Sequence, residues 1–328
     1  MKFRSLFVVV LLGASLLSTP AHATSQLTVG VAYDIGGRGD KSFNDAAAAG
    51  LEKAKKQFDF TLEAVVTDGT SSDREKRIRS LINKNCNPII TIGSGYAPIL
   101  QALSVEFPST QFAIINDASV AALNVTSLIF ADTQGAYLAG FSAAQVSKSG
   151  KVAMIANPNQ ADIFKDGFSA GVFASKRKVI PIVKYVSGSY SVATNQVLDA
   201  GADVVFVATQ GSDSEVFKSI VARNAKKKGS NIGLINIEPD QYITVTSATK
   251  KFLIASVVKR VDKAIYDVIA LSTAQKQYLD ILDADAGIYG RRYGITGGGI
   301  EFTIRSPQLL QLSDSINVAA ATAEKIPA

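Results

Sequence analysis

Residues 27–58 read LTVGVAYDIGGRGDKSFNDAAAAGLEKAKKQF. The first seven form an apolar, β-branched run, which predicts a buried strand. A glycine-rich loop follows, and apolar residues then recur at helical spacing from Leu51 to Phe58. Ser42 or Asn44 is placed to cap this helix. The stretch therefore predicts a strand, a loop and a helix in succession, the repeating unit of an α/β protein.

The same alternation continues along the chain. Helical patterns separate ten apolar runs, at residues 27–33, 61–67, 88–93, 111–116, 125–130, 151–156, 179–186, 203–208, 232–237 and 252–257. Near-continuous apolar strands of this kind indicate parallel sheets covered on both faces by helices. Because ten strands in one open sheet would be unusual, we predict two doubly wound lobes of about five strands each. A ligand would bind where the carboxyl ends of the strands face each other.

The N-terminus predicts export. Residues 1–23 combine a basic start, a short apolar core and small residues before Ala23, as in a signal peptide. The apolar core is too short to cross a bilayer, and no later stretch approaches the roughly 20 apolar residues required. We therefore expect a mature chain that is not inserted in a membrane and lies outside the cytoplasm.

The two lobes must be joined by short crossings, which we place near 131–134, 238–243 and 289–299. Gly297, Gly298 and Gly299 supply backbone freedom at the third. The predicted N-terminal lobe is then 24–132 plus about 243–289, and the predicted C-terminal lobe is 133–242 plus about 290–328. This is a hinge of three segments.

Composition excludes several kinds of chemistry. The only histidine, His22, leaves with the signal peptide, and a single Cys86 remains. No internal disulfide, zinc cluster or histidine-based catalytic triad can therefore form. The formal charge of +6 falls to +4 without the two basic residues of the signal peptide. The basic runs 176–178 and 226–228 lie near predicted helix ends, where they complement the helix dipole. We expect no nucleic-acid partner, no metal and no cofactor.

The loop at 33–45 is the strongest local signal. A Walker phosphate loop needs glycine before its lysine, and here that residue is Asp40. Instead, Asp34, the pair at 36–37 and the block DKSFN at 40–44 resemble the signature of the basic membrane protein family, whose characterised members are purine-nucleoside receptors of ABC transporters. Further blocks resemble that family in the same order, at 136–140, 164–172, 216–217, 238–241 and 256–262.

This resemblance covers nearly the whole mature chain and implies a type I periplasmic-binding-protein fold. It implies a binding protein rather than an enzyme, which captures a nucleoside between its lobes and delivers it to an ABC transporter permease. Many family members carry a lipid-anchoring cysteine at the cleavage site, but no cysteine lies near Ala23. We therefore expect a protein that is free in a periplasm or secreted, and a monomer.

A purine offers two flat faces and a polar edge, so aromatic rings and a carboxylate or amide would hold it. Phe43 is the first candidate ring. The resemblance implies a second ring from the other lobe, for which we choose Phe217 ahead of Phe164. Asp34 is the candidate acceptor for the base, and Asn44 could present both a donor and an acceptor.

Ribose needs acceptors for its vicinal hydroxyls and a donor for their lone pairs. The family comparison points to Glu238 or Asp240 together with Lys259. The family usually has aspartate at the position of Glu238, so the longer side chain could shift the sugar or pass its role to Asp240. Asp117 and Asp132 also end strands and could line the cleft.

Other interpretations remain open at this point. Core packing is the alternative role for the three phenylalanines, helix capping for Asn44 and surface ion pairing for Lys259. A nucleoside hydrolase could use Asp34, Asp40 and Asp117 around a calcium ion, although the expected clustered aspartate motif is missing. The same fold could also bind a sugar or a signalling ligand.

Overall fold

The computed structural model describes residues 26–158, 161–209, 213–226, 231–239, 241–278 and 280–326. The signal peptide predicted at 1–23 lies outside the described residues. So do Asp240 and the basic residues Lys227 and Lys228.

Strands and helices alternate over most of the described chain. The strands are β1 (Thr28–Tyr33), β2 (Thr61–Val66), β3 (Ile89–Ile92), β4 (Phe112–Ile115), β5 (Val125–Phe130), β6 (Lys151–Ala156), β7 (Ile180–Tyr185), β8 (Val204–Ala208), β9 (Gly233–Glu238), β10 (Leu253–Lys259), β11 (Asp280–Asp283), β12 (Ile288–Tyr293) and β13 (Ile300–Ile304). The helices are α1 (Phe43–Lys55), α2 (Ser71–Asn83), α3 (Ala97–Glu106), α4 (Asp132–Val146), α5 (Ala161–Ala174), α6 (Tyr190–Asp199), α7 (Asp213–Lys226), α8 (Ser247–Lys250), α9 (Val261–Thr273), α10 (Pro307–Leu310) and α11 (Ser313–Ala323).

The strands form two sheets. The first has the order β11-β12-β5-β4-β3-β1-β2, and the second has the order β13-β10-β9-β8-β6-β7. Pairing is parallel except between β11 and β12 and between β10 and β13. Helix α9 packs on α1 beside the first sheet, whereas α4 packs on α5 and β8 beside the second. We call each sheet with its helices the first and the second lobe, and the predicted class of two parallel-sheet lobes is confirmed.

Three strands were missing from the prediction of about five in each lobe. β11 is an exposed edge strand, and β12 carries the adjacent charged residues Arg291 and Arg292. Strand β13 closes the other sheet as an antiparallel edge. All three lack the continuous apolar run by which the other ten strands were found.

The second crossing between the lobes differs from its predicted position. We placed it at 238–243 and therefore assigned about 243–289 to the N-terminal lobe. However, β10 pairs with β9 and β13, so it lies in the second sheet and the chain crosses at Arg260. Residues 290–293, predicted in the C-terminal lobe, instead belong to β12 of the first sheet. The other two passages run through Ala131, between β5 and α4, and through 294–299, between β12 and β13.

Close packing of two helices organises the second lobe. Helix α4 is buried along almost its whole length. A Cβ atom added at Gly140 would lie 2.0 Å from the carbonyl oxygen of Phe168, and one added at Gly171 would lie 2.0 Å from that of Tyr137. Glycine therefore lets α4 and α5 approach almost backbone to backbone. Within the described part of the chain, no helix has both the length and the apolar character needed to span a membrane.

Candidate functional site

The loop after β1 is held together by its own carboxylates. Asp40 accepts hydrogen bonds from the backbone N–H groups of Ser42 (2.8 Å), Asn44 (2.9 Å) and Asp45 (3.1 Å). Asp45 in turn accepts from two other N–H groups of the loop. Asp40, rather than the predicted Ser42 or Asn44, therefore caps α1, because its carboxylate satisfies the open donors at the helix start.

Asn44 clamps the same loop from inside. Its Oδ1 accepts from the N–H of Asp34 (3.0 Å), and its Nδ2 donates to the carbonyl oxygens of Asp34 (3.3 Å) and Ile35 (3.4 Å). The side chain is almost fully buried. The amide that we predicted to contact a base thus borders the cleft with its donor and acceptor groups already used by the backbone.

A cavity of about 460 Å³ lies between the two lobes. This volume is within the range of small-molecule sites. The residues that line it are Asp34, Ile35, Asp40, Ser42, Phe43, Asn44, Ile92, Gly93, Ser94, Asn116 and Glu238. Four of these are predicted site residues, from the ends of β1 and β9 and the start of α1. The hydroxyl of Ser42 donates to Oε2 of Glu238 (3.0 Å), so a hydrogen bond spans the cleft.

Lys259, at the end of β10, carries a fully buried charge beside this cavity. Its side chain has no solvent exposure, and its Nζ lies 2.8 Å from Oδ2 of Asp132 and 3.3 Å from Oδ1 of Asn116. The ring centroids of Phe43 and Phe164 are 5.8 and 5.7 Å from the same nitrogen. The ammonium group is therefore stabilised by an ion pair and by aromatic faces, and it is not a surface charge.

Several buried oxygens of the second lobe lack a hydrogen-bond partner. Among the described residues, Oδ1 of Asp132, Oε1 of Glu238 and Oδ1 of Asn236 are buried and unpaired. Leaving buried polar atoms unsatisfied costs free energy, so such atoms indicate a missing partner. Oδ1 of Asp132 and Oδ1 of Asn236 are acceptors, which a hydrogen-bond donor would satisfy, whereas Oε1 of Glu238 accepts when the carboxyl group is ionised and can donate when it is protonated.

Burial also changes the ionisation of these carboxyl groups. It raises the pKa of Glu238, the negative charge of Asp213 raises it further, and Lys259 opposes both effects. Burial likewise raises the pKa of Asp213, although hydrogen bonds from Thr209 and Gln241 favour its charged form. The pKa of Asp132 is raised by burial and lowered by Lys259, with burial the larger effect. Asp132, Asp213 and Glu238 of the second lobe therefore hold their protons more tightly than exposed carboxyl groups do.

The two rings chosen to enclose a base line different cavities. Phe43 faces the cavity already described. Phe217, in α7, lines an adjacent cavity of about 510 Å³, which also touches Asp40 and Ser42. Phe164 is fully buried below Lys259, with its ring edge-on to Phe206 at 6.4 Å.

Asp117 lies beside the cavity without lining it. Its Oδ1 accepts from the backbone N–H (2.8 Å) and the hydroxyl (2.6 Å) of Ser119, so its carboxylate stabilises its own turn. Asn116, one residue earlier, is the side chain that lines the cavity. Position at the carboxyl end of a strand was the sequence signal for both residues, and we predicted only Asp117.

The carboxylates of the hydrolase alternative do not converge. Asp34 pairs with Arg74 at 2.7 Å, Asp40 caps α1 and Asp117 binds Ser119. In the parts of the chain that the structure describes, no group of three or more His, Cys, Asp or Glu side chains is arranged to hold a metal ion. The arrangement is suited to binding through hydrogen bonds, charge and an aromatic face.

Comparisons with known proteins agree with this geometry. Two solved structures share the fold. A solute-binding protein of an ABC transporter system from Aeropyrum pernix has a TM-score of 0.67 at 20% identity, covering 91% of this chain and 86% of that chain. A transcriptional activator of the comK gene from Bacillus halodurans has a TM-score of 0.69 at 20% identity, covering 92% and 100%. The fold is that of type I periplasmic solute-binding proteins.

Curated relatives extend the likeness to sequence. A CD4+ T-cell-stimulating antigen from Listeria innocua is 30% identical over 77% of this chain and 75% of its own length. An ABC transporter nucleoside-binding protein, BmpA, from Lactococcus lactis is 26% identical over 76% of each. The family model for PnrA-like ABC transporter substrate-binding proteins matches residues 27–327. The chain therefore belongs to the Bmp family, whose members are substrate-binding proteins of ABC transporters and not enzymes.

Proposed function

We propose that this protein binds a nucleoside with a purine base in the cavity between its lobes and presents it to the permease of an ABC importer. One observation carries the proposal: the ring of Phe43 lines the same cavity as Asn116 and Glu238, and the buried ammonium group of Lys259 lies directly behind it, 3.3 Å from Asn116 and 5.8 Å from that ring. An aromatic face suits a base, and clustered acceptors suit the hydroxyls of a sugar.

The base would lie against Phe43, with its edge towards Asp34. Phe217 is the proposed second ring. The cavity that it lines shares Asp40 and Ser42 with the first cavity, so Phe217 is close to the place where a stacked base would lie. The name of the Lactococcus lactis relative also supports a nucleoside as the ligand.

The ribose would lie towards the second lobe. Oδ1 of Asp132 could accept from one ribose hydroxyl, Oε1 of Glu238 could accept from or donate to the other according to its protonation, and Lys259 could donate to a hydroxyl oxygen. Charge-assisted hydrogen bonds of this kind are stronger than neutral ones. Asp240 stays an additional candidate from the sequence.

We propose further that residues 1–23 direct export and are removed, leaving a monomer free in the periplasm or secreted. Hinge closure of the two lobes would enclose the ligand and create the shape that a permease recognises. The hydrogen bond from Ser42 to Glu238, which spans the cleft, is consistent with a closed arrangement.

Calorimetric titration of the refolded, ligand-free mature protein would test the proposal. The panel would contain inosine, guanosine, adenosine, cytidine, free ribose and free hypoxanthine. We expect submicromolar binding of intact purine nucleosides, which are recovered unchanged, and much weaker binding of ribose or base. Tight binding of ribose alone would replace the nucleoside by a sugar, and absence of binding across the panel would refute the proposed ligand.

Phe43→Ala should weaken nucleoside binding by about 1–3 kcal/mol, the usual contribution of a base stacked on an aromatic ring. Phe173→Ala is the matched control, because that ring is 68% exposed on the outer face of α5. An unchanged dissociation constant for Phe43→Ala would exclude this ring from the site.

A further inference from the structure

We propose that two cations, the partly buried Arg74 and the fully buried Lys259, determine which edge of a nucleobase the cleft can read. Arg74 holds Asp34 as a hydrogen-bond acceptor, and Lys259 holds Asn116 as a hydrogen-bond donor. The inference rests on the proposed function and adds the feature of the base that is recognised.

The guanidinium group of Arg74, in α2, is held by several contacts. Its Nη2 lies 2.7 Å from Oδ1 of Asp34, its Nη1 donates to the carbonyl oxygen of Gly69, and its guanidinium carbon is 5.4 Å from the ring centroid of Tyr96. A Cβ atom added at Gly95 would lie 2.7 Å from the guanidinium carbon, so a larger residue there would displace the guanidinium group. The side chain is 12% exposed. These contacts hold the guanidinium against Asp34 more firmly than in a mobile surface ion pair.

Asp34 then has one oxygen directed at Arg74 and another available to the cavity. Oδ2 lies beside Gly93, only 3.1 Å from the position that a Cβ atom would take there, and both residues line the cavity. The side chain of Asp34 is 35% exposed. A carboxylate paired with a guanidinium offers only acceptors, so a ligand must bring an N–H group to meet it.

The orientation of Asn116 follows from its cationic neighbour. An ammonium group can only donate, so the amide oxygen must be the atom that faces Lys259 at 3.3 Å. Asp132 holds Lys259 in place at 2.8 Å. Turning the amide round would set its NH₂ group against the ammonium group. The NH₂ end of Asn116 is therefore the end that can donate to a ligand.

The first lobe thus offers one fixed acceptor and one fixed donor. A base that carries an N–H donor beside an acceptor complements this pair, as the carbonyl and ring N–H of inosine and guanosine do. Adenosine also has a donor, in its amino group. Purine riboside has the same ring and the same sugar but only acceptors at this edge. Inosine and purine riboside therefore separate recognition of the edge from stacking and from sugar binding.

The experiment compares dissociation constants for inosine and purine riboside by calorimetry. We expect the wild type to prefer inosine by about tenfold or more, the scale of one hydrogen bond to a charged group. Arg74→Met should reduce this preference to within about threefold of unity while leaving purine riboside binding nearly unchanged, and Arg74→Lys should restore part of it. Arg79→Met is the matched control. Arg79 lies on the same helix, pairs with Glu106 at 2.6 Å and is 5.7 Å from the ring of Phe107, away from the cavity.

Equal weakening of both ligands by Arg74→Met would show a purely structural role and overturn the inference. A wild type that binds both ligands equally would also overturn it, while leaving nucleoside binding intact. Absence of binding to any nucleoside would instead refute the proposed function itself. If Arg74→Met does not fold, 1-methylinosine tests the wild type directly. It lacks the ring N–H, so we expect a loss of about tenfold relative to inosine, and unchanged affinity would contradict the inference.

Discussion

Replacing Lys259 by methionine isolates the energetic role of the buried cation. Methionine keeps an unbranched chain of similar length and favourable contacts with aromatic rings, so the contacts with Phe43 and Phe164 are largely preserved. The change removes the ion pair at 2.8 Å and leaves the carboxylate of Asp132 buried without its cation. Breaking one partner of a buried pair costs about 3–5 kcal/mol, so Lys259→Met should lower the free energy of unfolding by about that amount.

The double variant Lys259→Met/Asp132→Asn provides the internal control. Asparagine removes the stranded charge, so most of the lost stability should return, because the cost arises from the unpaired carboxylate and not from the missing lysine. Ligand binding should stay lost, since both charged groups of the proposed ribose site are then absent. A stable double variant that does not bind would separate the two effects.

The pH dependence of the free energy of unfolding provides a second, independent test. Burial raises the pKa of Asp132, whereas the positive charge of Lys259 lowers it. Without the lysine this pKa rises further above its value in the unfolded chain, so the folded variant binds an extra proton. Protons then favour the folded state, and the stability deficit of Lys259→Met should shrink as the pH falls and grow as the pH rises.

Urea unfolding followed by far-UV circular dichroism is the assay, because the chain contains no tryptophan for fluorescence. A Lys259→Met variant within about 1 kcal/mol of the wild type would mean that the pair behaves like a solvated surface pair. Failure of Asp132→Asn to restore stability, or a deficit that grows at low pH, would also refute the reasoning.

Two further predictions concern Glu238. Ser42→Ala removes the hydrogen bond across the cleft at 3.0 Å. We therefore expect ligand binding to weaken by about 0.5–1.5 kcal/mol and small-angle scattering to show a larger fraction of the open form. Unchanged scattering and affinity would contradict this expectation. Burial and the charge of Asp213 raise the pKa of Glu238, so the folded state binds a proton more tightly than the unfolded state and stability should fall as the pH rises. Glu238→Gln should flatten that dependence and stabilise the ligand-free protein at mildly alkaline pH, measured by urea unfolding; a slope equal to that of the wild type would show that Glu238 does not cause it.

Local patterns in the sequence were sufficient to locate ten of the strands. Each of the ten apolar runs corresponds to a strand, and most of these strands are apolar throughout because helices cover both faces of the sheet. The assignment of strands to the two sheets could not be predicted in the same way. β10 is equally apolar whichever sheet contains it, so its pattern could not show that it pairs with β9 and that the chain crosses only at Arg260.

The candidate site was likewise predictable from local sequence only in part. The loop at 34–45 was identified from its residue types, and the structure brings Asp34, Phe43 and Glu238 to one cavity. Partners distant in sequence were not predictable. Arg74 and Asp34 are 40 residues apart, and Lys259 and Asp132 are 127 apart, so only the folded chain reveals these pairs. They decide which groups are left for a ligand, which residue types alone could not indicate.

The distribution of these groups between the lobes gives a physical reason for requiring an intact nucleoside. Asp34 and Phe43 belong to the first lobe, whereas Asp132, Glu238 and Lys259 belong to elements of the second. A ligand can shift an equilibrium between open and closed forms only by its differential affinity for them. A free base would contact Asp34 and Phe43 of the first lobe but only the proposed second ring, Phe217, of the second, and free ribose would contact mainly the second lobe, so each would gain less from closure than a nucleoside. A nucleoside joins both sets of contacts through one glycosidic bond and gains them together only in the closed form. We therefore expect closure, and hence recognition by a permease, to depend on the covalent link between base and sugar.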